Sequence, residues 1–332
     1  EQRLPRGVES IEDPGGPGAV RVRVVQGGTE ELWNLVVVRP RDSAPQSNGK
    51  GSGVELREVR YRGRLVLRQA HVPILNVLYD DEVSYRDWQN GETLFRAQGE
   101  DPVGHGWRLC DRPPKTILEA GDDEGNFQGV ALYHDGRELR IVSELEAAWY
   151  RYVSDWRLAD DGVIRPRFGF AGVRNPRTCM RHRHHAYWRF DFDIAGAASD
   201  VVEQLGADDR WTRIVRETSR KRGPDVREWR VRDKVTGAGY RIVPGRHDGR
   251  ADAYGVADAW FLRYHPKELS DGVDIVGGTP AETRIQIDPF VNGESLDGTN
   301  LVVWYAGHFL HDENSPAAHS GGHIVGPDLI PL

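Results

Sequence analysis

The chain has 332 residues, of which 38 % are hydrophobic and 29 % charged, and its ten tryptophans allow a sizeable globular core. No run of about 18 apolar residues occurs, so no transmembrane helix is expected. The net charge of −7 argues against a general nucleic-acid surface despite local arginine clusters.

Along the chain, short runs alternate apolar with polar side chains and are rich in valine, tyrosine, tryptophan and arginine. These are Val20 to Val25, Leu65 to Leu67, Arg140 to Val142, Arg165 to Phe170, Tyr187 to Ile194 and Leu301 to Tyr305. Scattered turn residues (38 glycines, 19 prolines) separate them. This pattern predicts an all-β protein, a large antiparallel β-sandwich with few short helices. Ser43 to Gly53 reads as a flexible loop. Helical character is expected only over Ser199 to Leu205 and Trp211 to Arg220. Cys110 and Cys179 are too few for a disulfide scaffold, do not report a compartment, and read as free thiols. No secretory leader is expected within this numbering, and the sequence does not separate a cytoplasmic from a secreted protein.

His182-Arg183-His184 is the most informative motif. In a strand, residues i and i+2 share a face. His182 and His184 then present adjacent imidazoles, while His185 points to the other face. A third imidazole from a distant strand, with His311 the candidate, completes a three-nitrogen site with open positions. Such a site suits copper, with zinc as the alternative metal. His308, three residues before His311, is expected on the opposite face from it. His319 and His323 lie in a Gly/Ser-rich tail and are expected to be solvated. No P-loop, GxGxxG, GxSxG or HExxH pattern appears, so nucleotide and common hydrolase readings lack support.

Several ordered segments resemble the copper/quinone (topaquinone) amine oxidases. His182-Arg-His-His-Ala-Tyr-Trp-Arg-Phe-Asp-Phe-Asp-Ile194 is similar to their HxH strand, and Asn300-Leu-Val-Val-Trp-Tyr-Ala-Gly-His-Phe-Leu-His311 to the strand carrying the third copper histidine. Arg137-Glu-Leu-Arg-Ile-Val-Ser143 and Trp149-Tyr-Arg-Tyr-Val-Ser-Asp-Trp156 resemble the strands around the self-processed tyrosine, which falls on Tyr150. Trp260 to Glu268 and Asn292 to Thr299 follow the family in order, and Ser199 to Leu205, despite its helical character, matches one of the family's strands. The resemblance runs from about Tyr61 to the C-terminus. It implies a single catalytic domain over residues 1–332, with residues 1–53 less clearly matched, no smaller N-terminal domains, and a homodimer.

The resemblance further implies copper at His182, His184 and His311 and a topaquinone formed from Tyr150. Tyr79 matches the tyrosine that hydrogen-bonds the quinone oxygen. The implied reaction is oxidation of a small primary amine by O₂, without nucleic-acid or membrane partners. Departures on both sides of the processed tyrosine and at the catalytic base qualify it. Trp149 replaces the asparagine before the processed tyrosine, and Arg151 replaces the acid after it. The catalytic aspartate expected after Trp88-Gln89-Asn90 is missing, because the chain continues Gly91-Glu92-Thr93. Glu92 or Asp87 is then the candidate base. These departures leave two alternatives open: a copper enzyme with unmodified Tyr150 running a different oxidation, and a copper-binding sandwich without catalysis.

Overall fold

Alternating β-branched and aromatic residues build pleated strands that bury one face and expose the other. A computed structural model describes residues 8–12, 18–43, 52–87, 89, 102–104, 107–110, 113–121, 129–172, 175–194, 196–312 and 323–332. Among these residues two large sheets face each other, and all strand pairs but one are antiparallel. Among the described residues, helices are limited to single turns such as Ile117–Ala120 and Pro280–Thr283, and none is long or apolar enough to cross a membrane. No disulfide joins Cys110, which is buried, to Cys179, which is exposed.

The first sheet runs in the order Val8–Glu12, Ala19–Gln26, Glu30–Val38, Glu55–Tyr61, Arg64–Tyr79, His182–Phe192, Leu301–His311, Ala259–Arg263, Thr218–Arg220. The residues before the clear family matches therefore supply three consecutive strands of this sheet. The second sheet centres on Glu138–Ala147, Tyr150–Ala159 and Ile164–Gly172. The strands foreseen from alternation all form.

The helical expectation fails at Trp211 to Arg220, while Ser199 to Leu205 forms the strand that the family resemblance implies rather than a helix. Asp200–Leu205, Trp211–Ile214 and Thr218–Arg220 are strands. Val201 and Val202 are buried, and Glu203 accepts hydrogen bonds from both Arg230 and Arg232 on the neighbouring strand. Cross-strand packing and ion pairs thus outweigh local helix preference.

His182–Phe192 is the middle of the first sheet and is buried on both faces. His182, His184, Ala186, Trp188 and Phe190 face the second sheet. There Trp188 packs with Tyr305, and Phe190 packs edge-on against Trp156. On the other face, Tyr187 joins a second apolar cluster with Ile74, Trp260 and Trp304. A strand covered on both sides holds its register tightly, since a one-residue slip would exchange the two faces.

Candidate functional site

The register of three strands makes the site. His182 lies directly opposite Tyr79 on one side and His311 on the other. Cross-strand partners share a face, so the three side chains form a row pointing at the second sheet, with His184 two residues further along. From the second sheet, the turn Ala147–Tyr150 brings Tyr150 down onto this row. The Tyr150 hydroxyl lies 2.9 Å from His182 Nε2 and 2.9 Å from the Tyr79 hydroxyl. The Tyr150 ring meets His184 edge-on, with 4.7 Å between centroids. His311 stands 4.8 Å from His182, centroid to centroid. Tyr150, His182, His184 and His311 all line one cavity of about 480 Å³.

Proton placement follows from the partners. His182 Nδ1 is 2.6 Å from the Met180 carbonyl, which can only accept, so Nδ1 carries the hydrogen. Burial pulls the His182 pKa down to about 4, so the ring is neutral near pH 7 and Nε2 presents a lone pair. His184, fully buried, is also held well below the ordinary histidine range. Its Nε2 lies 3.0 Å from His182 Nε2, and only one proton fits between two facing nitrogens.

Without a cation, one lone pair is thus shared by an imidazole and a phenol at about 3 Å each. A metal ion would relieve that crowding by accepting lone pairs from both facing nitrogens. Neutral imidazoles ligate without first losing a proton near pH 7, and a nitrogen donor set of this kind suits copper(II) or zinc. His182 and His184 bring two such nitrogens together, and His311 lines the same cavity beside them.

Burial raises the Tyr150 hydroxyl well above the ordinary tyrosine range, with the nearby Tyr79 adding to the effect. Trp149 is half-buried, and its indole N–H donates to the Tyr79 oxygen at 3.3 Å. Since an indole only donates, the residue that departs from the family pattern becomes the support of Tyr79. Tyr152 stacks on Tyr150 at 5.5 Å and donates its O–H to Asp87. Desolvation raises the Asp87 carboxyl to about 6, against the pull of that hydrogen bond. Asp87 is therefore joined to the tyrosine cluster, a link that sequence spacing did not reveal. Glu92 lies outside the described residues, as does His319.

His185 does face the other way, and it meets His308 there. Their Nδ1 atoms are 2.6 Å apart, and His308 Nε2 donates to the Ala257 carbonyl at 3.1 Å. The signal was available: in an antiparallel pair with His182 opposite His311, three residues on from one faces three residues back from the other. Gly255 closes over both rings, and a Cβ there would sit 2.8 Å from His308 and 3.0 Å from His185.

His323 departs from expectation. It is half-buried, lines the same cavity, and packs against Phe309 and His311. The short pairing of Ile324–Val325 with the Ile164–Gly172 strand draws the tail inward.

Elsewhere, Glu217, His265 and Glu294 bring ligand-type atoms within 4.8 Å of one another. Both Glu217 oxygens already accept backbone N–H groups, from Arg263 at 3.0 Å and Asn292 at 2.9 Å. That arrangement ties the end of the Ala259–Arg263 strand to the segment around Asn292.

No model of a known protein family matches the chain, and no curated protein sequence matches it. Solved structures do. A copper-containing benzylamine oxidase from Hansenula polymorpha superposes with a TM-score of 0.64 at 15 % identity, covering 100 % of this chain and 63 % of that one. An amine oxidase from Aspergillus nidulans gives 0.59 at 15 % identity, covering 100 % and 54 %. A lysyl oxidase from Pichia pastoris gives 0.64 at 12 % identity, covering 90 % and 51 %. The fold is that of these amine oxidases. At such identities the likeness extends to the fold alone, and this chain spans 51–63 % of the length of those three proteins.

Proposed function

We propose that this chain is a copper-dependent oxidoreductase acting on primary amines. In this reading His182, His184 and His311 hold the copper, and Tyr150 is the tyrosine converted to a quinone. The observation that supports it most is the Tyr150 hydroxyl, 2.9 Å from His182 Nε2 inside a cavity lined by all three histidines. When bound, copper with O₂ supplies the oxidation that makes topaquinone, through which a primary amine, O₂ and water give an aldehyde, ammonia and hydrogen peroxide.

The chain's own residues have separate tasks in this reading. Met180 fixes the His182 tautomer and so turns the Nε2 lone pair toward the cavity. Tyr79 holds the Tyr150 oxygen, and Trp149 orients Tyr79. Asp87, one of the two candidates for the missing aspartate, has surroundings that suit a general base. A carboxyl near 6 is ionised at neutral pH yet more basic than an ordinary aspartate. A homodimer goes with this reading.

The test is to load the protein with copper in air and screen primary amines for peroxide release. Wild type should release peroxide, and Tyr150→Phe should release none while keeping its copper. Full copper occupancy with no amine-dependent peroxide contradicts the proposal.

A second reading keeps Tyr150 unmodified and gives the copper another oxidation. It draws on Trp149, whose indole centroid is 6.4 Å from the Tyr150 ring where the family has a small amide. Copper-loaded protein that retains a plain Tyr150 selects it.

A further inference from the structure

The cavity wall contains a fourth imidazole that the three-histidine reading does not use. His182, His184 and His311 all come from the first sheet, whereas His323 approaches from the second. Its backbone is anchored there: the His323 carbonyl accepts the Phe170 N–H at 3.0 Å, and Val325, two residues on, is buried opposite Phe168. This anchoring places the ring at the cavity by pairing with the sheet. The His323 ring lies 5.2 Å from His311 and 5.2 Å from Phe309, centroid to centroid. The His182–His184 and His182–His311 separations are both 4.8 Å, so the fourth ring continues the cluster at nearly the same spacing.

We propose that His323 is a fourth nitrogen donor to the metal centre, closing it from the sheet opposite the other three. The proposal rests on the reading of His182, His184 and His311 as metal ligands. Copper(II) favours four donors in a tetragonal arrangement, and imidazole is among its preferred ligands. A fourth imidazole occupies a position that a three-histidine site leaves to water. It also makes the centre depend on the seating of the C-terminal segment, since the ligand arrives with residues 323–325.

The experiment counts nitrogens without using turnover. Copper(II) is titrated into the full chain, and pulsed EPR counts the coordinated imidazoles in wild type, His323→Ala, His323→Gln and His182→Ala. Four imidazoles are expected in wild type and three in each His323 variant. Copper affinity should fall at least about tenfold in those variants, the lower end of what the loss of even an outer-shell partner costs. Thermal unfolding of the metal-free His323→Gln protein should match wild type, which separates ligand loss from misfolding. Three imidazoles in wild type, with spectrum and affinity unchanged in both His323 variants, overturns the fourth ligand and leaves the three-histidine centre standing. If wild type binds no copper, or His182→Ala keeps the wild-type spectrum, the underlying centre fails as well.

Discussion

Asp87 offers the sharpest physical prediction. Its carboxyl titrates near 6 in the folded protein against 3.8 as a free side chain. The folded state therefore holds the proton more tightly than the unfolded state does. The associated stability is fully present below pH 3.8, declines as pH rises, and is gone above about 6 to 7. A shift of about two units corresponds to about 3 kcal/mol, which partial solvent contact reduces to about 2 kcal/mol. Asp87→Asn keeps an oxygen acceptor for Tyr152 and removes the titration. Urea unfolding of both proteins from pH 4 to pH 8 isolates the effect, because other buried carboxylates such as Asp191 and Asp200 contribute equally to each. The variant should gain on wild type by about 2 kcal/mol between pH 4 and pH 7, with no further change above. Parallel curves for the two proteins would refute the desolvation of Asp87, and with it the physical case for a base at this position.

Other outcomes follow from the same geometry. Tyr79→Phe removes the hydroxyl between Trp149 and Tyr150 and should cost about 1–2 kcal/mol in chemical unfolding. It should also broaden the orientation of whatever occupies position 150, read by resonance Raman of copper-loaded protein. His185→Ala should leave copper stoichiometry intact, because that ring faces away from the cavity. It strands His308 Nδ1, so its unfolding midpoint should drop by the equivalent of about 2–4 kcal/mol. Ala148 takes a left-handed backbone conformation (φ 52°) in the turn before Tyr150, so Ala148→Gly should stabilise by up to about 1 kcal/mol in the same assay.

Much of the site was legible because strand geometry is strict. A two-residue period puts His182 and His184 together and sends His185 away, and both hold in the structure. The alternating runs at Val20, Arg140 and Leu301 also read correctly as strands. What escaped was decided by contacts between distant elements. Asp200–Leu205 has helical character by composition while the resemblance implies a strand, and Arg230 and Arg232 bonded to Glu203 decide for the strand. His323 sits in a Gly/Ser-rich tail, and a two-residue pairing at Ile324–Val325 is too short to register as periodicity. Asp87 meets Tyr152 across the two sheets, a contact that no spacing along the chain encodes.

Copper in this cavity should act on Tyr150. The mass of the peptide containing Tyr150, measured before and after aerobic copper loading, reads that reaction. A gain of two oxygens with the loss of two hydrogens is expected on that residue, absent in His182→Ala. An unaltered Tyr150 in fully copper-loaded wild type contradicts it.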